Sequence, residues 1–253
     1  MTVPSLQLGI VTATPALCEA ALAAALPLAS REIDVLLWEN GNTEPVSLSI
    51  KARRTWVSTN QGVTKGLHGL YEMSDPDPDA LLVYMHDDVT LLERGWDARV
   101  RARFEDPAVG LVGFGGACLL SADVRRGPFY SSMMDAERHG MRVAHDFECA
   151  VIDGFGFAVR RRFLDQIHGW SWWPFPHHGY DLGLSCMAKR HAWKVWACPV
   201  ACDHVGARTA AQAVYQDGIA KAYGGDMKLL RAAYTQVRAE FRHELPLTCP
   251  APV

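Results

Sequence analysis

The sequence lacks the short motifs that mark many nucleotide and metal sites. It contains neither GxGxxG nor GxxxxGK[ST], which excludes the dinucleotide fingerprint and the phosphate-binding loop of P-loop NTPases. Its seven cysteines are odd in number and include no CxxC. We therefore expect reduced thiols in a cytosolic protein and not a disulfide framework. A zinc site at Cys198, Cys202 and His204 has no fourth ligand at a finger-like spacing.

An excess of positive charge, long apolar runs and internal repeats are also missing. The formal net charge of −3 argues against a protein that binds nucleic acid by neutralising phosphates. No stretch reaches the ~18 consecutive apolar residues of a membrane span. The N-terminus has no basic residue before Arg31, so we expect no secretory signal and a cytoplasmic location. The composition, 49% hydrophobic and 21% charged, is typical of a globular protein with a sizeable core.

One short stretch, Leu81 to Asp88, organises the rest of the chain. Five apolar residues, Leu81–Met85, are followed directly by His86, Asp87 and Asp88. The run is too short for a buried helix. A strand of a parallel sheet is covered on both faces and so reads as a continuous apolar run, and this run therefore predicts a buried strand. Ligands bind beyond the carboxyl ends of such strands. Alternation places His86 and Asp88 on one side, where they suit a divalent cation; a polar turn is the alternative.

Strand and helix patterns alternate on both sides of this stretch. Strands are predicted at Leu6–Ala13, Ile33–Trp38, Val109–Phe114, Asp153–Arg160 and Trp193–Val200, and helices at Ala16–Ala29, Val63–Met73, Glu93–Phe104, Arg161–Ile167, Asp181–His191 and from Thr209 to about His243. The order predicts an α/β fold with a mostly parallel central sheet flanked by helices. Ser121 to Glu148 lacks periodicity and is predicted to be a long functional loop with short elements.

Several separated segments together resemble the inverting GT-A glycosyltransferases of the family 2 type, over roughly residues 6–206. Val11–Thr14 and Trp38–Gly41 lie where such enzymes hold a nucleotide, His86-Asp87-Asp88 takes the place of the DxD motif, Asp153–Gly156 with Arg160–Phe163 and His168–Trp170 resembles the Gly-rich strand and the segments after it, and Tyr180–Leu184 resembles the ED motif. The order of these pieces carries the resemblance, because DxD alone is a weak signal. His86 departs from the family pattern and resembles an HxD variant. A neutral imidazole brings no negative charge, so we expect weaker metal binding.

The resemblance implies a nucleotide-sugar-binding domain at residues 1–206 and a C-terminal helical extension packed on it at 207–245. We expect residues 246–253 to be a disordered tail. The implied donor is a nucleotide sugar, with a UDP-sugar favoured, and the implied cofactor is Mn²⁺ or Mg²⁺. The implied acceptor is a glycan or a lipid-linked glycan, the latter reached by peripheral contact with a membrane. The sequence carries no indication of the oligomeric state.

The implied reaction is a single displacement with inversion at the sugar. Asp88, His204 and His86 would hold the cation that neutralises the departing diphosphate, and Asp181 would take the proton of the acceptor hydroxyl. Donor contacts are expected from Thr12, Ala13, Thr14, Glu39, Asn60, Lys65, His86, Asp87, Asp153 and Gly154, and the acceptor site from Trp170, Trp172, Trp173, His178 and Tyr180.

Two other functions fit parts of the sequence. A metal-dependent phosphohydrolase using His86, Asp87, Asp88 and His204 would need a further His–Asp pair elsewhere in the chain, and the sequence shows no convincing one. A non-catalytic nucleotide- or glycan-binding protein would be favoured if Asp88 or Asp181 faced away from the pocket. Single residues have structural alternatives too, since Asp181 would stabilise a helix N-terminus and an aromatic run is often core.

Overall fold

The structure, a computed structural model, describes residues 4–41, 49–136, 140–204 and 213–252. The strands are β1 (Leu6–Thr12), β2 (Asp34–Asn40), β3 (Arg53–Val57), β4 (Leu81–His86), β5 (Val89–Leu91), β6 (Val109–Gly113), β7 (Gly115–Ala117), β8 (Leu119–Leu120), β9 (Phe129–Ser131), β10 (Met141–Arg142), β11 (Phe147–Glu148), β12 (Val151–Ile152), β13 (Gly156–Arg160), β14 (Lys194–Ala197), β15 (Cys202–His204) and β16 (Leu247–Thr248). The helices are α1 (Pro15–Leu28), α2 (Val63–Met73), α3 (Trp96–Arg103), α4 (Arg161–Gln166), α5 (Tyr180–Arg190), α6 (Ala213–Tyr223) and α7 (Asp226–Glu240).

The main sheet has the strand order β11-β14-β6-β13-β4-β1-β2-β3. Strands β3, β2, β1 and β4 run parallel to one another, and so do β14 and β6. Strand β13 is antiparallel to both β4 and β6. The prediction of a mostly parallel central sheet with Leu81–Met85 in its interior is confirmed. The direction of β13 was not predicted, because a strand that is buried on both faces shows the same apolar run in either direction.

Strand β4 separates two hydrophobic cores. Leu81, Val83 and Met85 lie in the core that α1 and α3 cover, whereas Leu82 and Tyr84 lie in the core that α2 and α5 cover. Because side chains alternate along a strand, an apolar run of this kind is buried on both faces. The polar residues that follow it therefore emerge only at the end of the strand.

Helix α2 packs unusually close to the sheet. A Cβ atom at Gly69 would lie 2.0 Å from the ring of Trp38, so no larger residue fits there. The N-cap residue Gly62 has φ +82° and lies directly against Pro176, which joins the start of α2 to the proline-rich segment before α5. This contact brings the beginning of α2 and the segment before α5 to one edge of the sheet.

The stretch predicted to be a long loop contributes to a second sheet. Strands β9 and β10 from this stretch join β7 and β12 in the order β10-β9-β7-β12. Residues 137–139 of the stretch lie outside the described residues.

The C-terminal segment packs on the core with α2 and α5. Ala233, Val237 and Phe241 from α7 and the residues after it are buried there. Thr209, where the helix was predicted to begin, and the domain boundary at 206/207 lie outside the described residues.

The tail expected to be disordered is ordered in part. Strand β16 pairs with β8, and Leu247 is 4% exposed. Burial of the Leu247 side chain explains the difference. The position of this leucine near the end of the sequence does not reveal that its side chain packs in the core. No helix among the described residues is both long and apolar enough to cross a membrane.

Candidate active site

Polar side chains end the neighbouring strands β1, β2 and β4. Thr12 follows the apolar part of β1, Glu39 and Asn40 end β2, and His86 ends β4. The three strands are parallel, so their carboxyl ends meet at the same edge of the sheet. This edge is where ligands bind in open α/β folds.

A pair of short strands carries His204 to the end of β4. Strand β15 is antiparallel to β5, and His204 lies opposite Val89, the residue after Asp88. Nε2 of His204 is 3.4 Å from Oδ1 of Asp88, and Nδ1 of His86 is 3.9 Å from the same oxygen. One ligand atom from each of these side chains lies within 4.8 Å of the other two. The residues predicted to share a cation are thus brought together.

The donor atoms of this cluster fit a divalent cation. The Nε2 atom of His204 is buried without a hydrogen-bond partner, and the ring is held by stacking on Phe155 at 5.1 Å between centroids. Among the described residues, no lysine or arginine lies within ion-pair distance of Asp88. Imidazole nitrogens with a carboxylate oxygen form a donor set suited to Mn²⁺ and related ions.

The ionisation states agree with this fit. Burial and the nearby His204 lower the pKa of His86, so its ring is neutral and can offer a nitrogen lone pair. Burial raises the pKa of Asp88, but the electrostatic attraction of the nearby His204 and His86 rings outweighs it, and the pKa of Asp88 lies below its usual value. Asp88 is therefore an ionised carboxylate at neutral pH.

Asp181, the predicted base, lies at the start of α5 in a second charged group. Oδ2 of Asp181 accepts a hydrogen bond of 2.6 Å from Nη2 of Arg126, and Nη1 of Arg126 forms an ion pair with Asp153. Burial raises the pKa of Asp181, and the charge of Asp153 raises it while Arg126 lowers it; the pKa is above its usual value. Burial also raises the pKa of Asp153, but Arg126 outweighs this and lowers it.

Tyr180 connects the two charged groups. Its hydroxyl oxygen is 3.1 Å from Nε2 of His86, and the hydroxyl donates a 3.3 Å hydrogen bond to the carbonyl oxygen of Gly154. A Cβ atom at Gly154 would be 2.4 Å from this hydroxyl, so the glycine allows the close approach. Asp181 follows Tyr180 directly, so the predicted base is adjacent in sequence to the tyrosine that contacts His86.

The predicted donor contacts fall into two sets. Thr12 donates a 2.8 Å hydrogen bond to the buried Asp87, which ties the end of β1 to the end of β4. Glu39 is 1% exposed and forms an ion pair with Arg54. Asn60 accepts a hydrogen bond from Asn40 at 3.0 Å. Ala13 and Thr14 are partly exposed and Lys65 is exposed, so a ligand can reach them. Thr12, Glu39 and Asp87 are buried.

The aromatic residues predicted to form the acceptor site differ from one another in burial. Trp170 is 1% exposed, with its ring edge-on to Tyr84 at 4.8 Å, and Trp173 is 5% exposed. Trp172 packs on Phe241 at 6.2 Å. Trp170 and Trp173 are mainly core, because the segment folds down onto α2 and α7, whereas Trp172 is partly exposed. Parts of Trp170 and Trp173 nevertheless line a pocket of about 460 Å³ beside α2.

His178 occupies a strained position that its sequence context did not reveal. Its backbone has φ +62°, and its Nε2 atom is 2.8 Å from Oδ1 of Asp226 at the start of α7. The neighbouring His177 has a pKa lowered to about 4 by burial, His178 and His86. The segment before α5 therefore lies near His86.

Three charged residues important to the site were missed from the sequence. Arg126, Arg54 and Asp226 each pair with a predicted site residue from a distant part of the chain. The signal for Arg126 was its place in a long aperiodic stretch, where functional residues concentrate. Arg54 and Asp226 carried no local signal.

Comparisons with known proteins identify the fold. Neither a protein-family model nor a curated protein sequence matches the chain. A mannosyltransferase from Pyrobaculum calidifontis, solved with GDP-Man and Mn²⁺, superposes with a TM-score of 0.57 at 15% identity over 96% of this chain and 72% of that one. GalNAc-T7 with UDP, GalNAc and Mn²⁺ gives 0.56 at 10% over 96% and 58%.

A third structure agrees. Glucosyl-3-phosphoglycerate synthase from Mycobacterium tuberculosis, solved with Mn²⁺, UDP and glucosyl-3-phosphoglycerate, superposes with a TM-score of 0.54 at 11% identity, over 95% of this chain and 80% of that one. The chain spans little more than half of GalNAc-T7. Since nearly all of this chain superposes on each of the three structures, the protein has the GT-A glycosyltransferase fold.

Proposed function

We propose that the protein transfers a sugar from a nucleotide-sugar donor to an acceptor hydroxyl with the help of a divalent cation. The observation that carries this proposal is the cluster of His86, Asp88 and His204 at the carboxyl edge of the sheet. The three similar structures support it, because each was solved with Mn²⁺ and with a nucleotide or nucleotide sugar.

Asp88, His204 and His86 would hold Mn²⁺ or Mg²⁺. When bound, the cation supplies Lewis-acid stabilisation of the negative charge on the leaving diphosphate. The Nε2 atom of His204 is buried and makes no hydrogen bond within the described residues, although it lies 3.4 Å from Asp88. This supports the role, because a buried nitrogen without a hydrogen bond is costly unless a ligand satisfies it.

The proposed donor is a UDP-sugar. Ala13, Thr14 and Lys65 are exposed or partly exposed beside the strand ends, and they would contact the nucleotide. UDP is present in two of the similar structures and GDP-Man in the third, so GDP-mannose is the competing donor.

Asp181 is the proposed base. The acceptor oxygen forms a bond to the anomeric carbon while the bond from that carbon to the diphosphate oxygen breaks. The hydroxyl proton passes to Asp181, and the bonding electron pair leaves with the diphosphate. A raised pKa from burial favours proton acceptance near neutral pH. Attack from the face opposite the diphosphate inverts the anomeric centre.

The proposed acceptor is a glycan or a lipid-linked glycan. Trp172, His178 and Tyr180 lie in or beside the segment that leads into Asp181, and the pocket of about 460 Å³ beside α2 adds aromatic and polar edges. We place the reaction in the cytoplasm, with peripheral membrane contact when the acceptor carries a lipid.

One observation bears on a phosphohydrolase. The further His–Asp pair that such an enzyme needs is present as His178 and Asp226. Within the described residues, however, only His86, Asp88 and His204 form a group able to hold a metal ion. We therefore keep phosphate release as an outcome to be measured and not as a second proposal.

The test is turnover of UDP-glucose, UDP-GlcNAc, GDP-mannose and a dTDP-sugar, with MnCl₂ or with EDTA. Because the acceptor is unidentified, slow transfer to water is measured first through release of nucleoside diphosphate, and the anomer formed is identified by ¹H NMR. We expect Mn²⁺-dependent release from a UDP-sugar, with the inverted anomer.

Two variants serve as controls for this test. Asp88→Asn should be inactive, whereas Asp106→Asn, which removes an exposed carboxylate paired with Lys194, should behave as the wild type. Saturation by none of the donors, or Mn²⁺-dependent release of inorganic phosphate instead, would contradict the proposal.

A further inference from the structure

The backbone around Arg126 is fixed by pairing with the end of β8. Arg126 itself forms a bridge with Leu120 at the end of β8. The amide of Ser121 donates to the carbonyl of Arg125 at 2.9 Å, and that of Gly127 donates to the carbonyl of Leu119 at 2.8 Å. These bonds close a tight turn, so the side chain of Arg126 leaves from a fixed point.

The guanidinium of Arg126 divides its two outer nitrogens between two carboxylates. Nη2 donates to Oδ2 of Asp181 at 2.6 Å, and Nη1 donates to Oδ2 of Asp153. The planar fork of an arginine fixes direction as well as charge, which a lysine does not. Asp181 is 6% exposed, and its carboxylate is thus fixed in orientation by a residue from another part of the chain.

We propose that Arg126 is a positioning residue that keeps the carboxylate of Asp181 ionised and aimed for proton transfer. This inference rests on the proposed role of Asp181 as the base. It goes further by assigning a task to the stretch from Ser121 to Glu148, in which no site residue was predicted.

The charges around Asp181 give the physical reason. Arg126 and Asp153 face it directly, and the hydroxyl groups of Tyr180 and Tyr234 lie near the same ion pairs. Without the guanidinium, the buried carboxylate of Asp181 would remain beside the partly exposed carboxylate of Asp153, and one of them would take up a proton. An Asp181 that is already protonated accepts no proton from an acceptor hydroxyl.

The last helix also comes near this arrangement. Burial raises the pKa of the Tyr234 hydroxyl on α7, and the charge of Arg126 acts against it. Tyr234→Phe should therefore change the response of Asp181 to pH less than a change at Arg126, because it removes a hydroxyl and leaves the cation.

The experiment follows Asp181 in the full-length protein by ¹³C NMR of the side-chain carboxyl carbons, with Asp181→Asn used for assignment. Removing a cation within about 4–6 Å raises a carboxyl pKa by about 1–3 units. In Arg126→Met we therefore expect the Asp181 midpoint to move up by about that amount. The acid limb of the pH–rate profile should move with it, since activity is lost when the base is protonated.

Two variants separate positioning from a purely structural role. Arg126→Lys keeps the charge without the fork and should show a small shift of the midpoint with a clear fall in kcat. Arg125→Met changes the adjacent exposed arginine and should leave both readouts unchanged. If Arg126→Met does not fold, Arg126→Lys decides alone, through a fall in kcat with the donor KM unchanged.

An unshifted Asp181 midpoint in a folded Arg126→Met protein would overturn the inference, and so would wild-type kcat in Arg126→Lys. The NMR titration needs no turnover. If wild-type protein turns over no donor, the proposed function fails, while the titration still shows whether Arg126 controls Asp181.

Discussion

The candidate active site contains two groups of charged side chains that differ in how their negative charge is neutralised. Asp153, Asp181 and Arg126 form one group, and His86, Asp88 and His204 form the other. Asp153 and Asp181 share Arg126, so that group carries its own cation. Asp88 has only the imidazoles of His86 and His204 within ion-pair distance among the described residues. A buried carboxylate is stable when it is paired or bound to a metal. The first group is complete within the chain, whereas the second would be completed by a cation from solution.

This difference assigns separate tasks to two similar sets of acidic residues. In our proposal, the group around Arg126 positions a carboxylate for proton transfer, and the group of His86, Asp88 and His204 would hold a metal ion. Tyr180 lies between them, with its hydroxyl 3.1 Å from His86 and its backbone joined to Asp181. The donor sugar would lie across this boundary, with the diphosphate on the metal side.

The largest expected effect separates the tasks at Asp181. Asp181→Asn preserves the size of the side chain but removes its basicity, so turnover should fall by ~10²–10⁴-fold. Donor affinity, measured by calorimetry with Mn²⁺ present, should stay within about 2-fold of the wild type, because a base that acts only in the transition state adds little to ground-state binding. A small fall in kcat in a folded variant would show that Asp181 only stabilises the start of α5.

A smaller effect is expected on the metal side. His204→Ala removes one nitrogen ligand, and the MnCl₂ concentration for half-maximal activity should rise by at least about 10-fold, since even residues behind a metal ligand are worth about 10–100-fold. His243→Ala, at an exposed position near the C-terminus, is the matched control. An unchanged metal requirement in His204→Ala would remove this residue from the site.

The smallest effect concerns a third acidic residue, Asp87. The Thr12 hydroxyl donates to Asp87 at 2.8 Å and accepts from the amide of Thr14 at 3.0 Å, so Thr12→Val removes these two hydrogen bonds and no charge. The free energy of unfolding, from urea denaturation, should fall by about 1–3 kcal/mol. Thr235→Val, at an exposed hydroxyl on α7, should change it by less than about 0.5 kcal/mol. A metal requirement altered by Thr12→Val would mean that Asp87 belongs to the group of His86, Asp88 and His204.

The sequence predicted the metal-binding side better than the side around Asp181. His86 and Asp88 follow a buried strand directly, so local pattern and alternation located them. His204 came from the resemblance to a family, and the pairing of β15 with β5 supplies its physical basis. Arg126 lies 55 residues from Asp181 along the chain, in a stretch without periodicity, and no local pattern encodes such a pairing.

The aromatic segment and the tail show another limit of local pattern. Trp170 stands beside polar residues and prolines in sequence, yet tertiary packing buries it against Tyr84. Leu247 follows a proline near the chain end, yet it fills a place in the core through β16. In both cases burial depends on surfaces contributed by distant segments.

The most direct test of the account is Mn²⁺ binding measured by electron paramagnetic resonance, in the presence of UDP, for three proteins. The wild type should bind one Mn²⁺ saturably. Asp88→Asn, which changes the group of His86, Asp88 and His204, should lose this binding. Asp153→Asn removes a carboxylate from the group that Arg126 neutralises, and it should keep the binding. Equal Mn²⁺ binding by the wild type and Asp88→Asn, or loss of binding in Asp153→Asn alone, would contradict the assignment of the two groups.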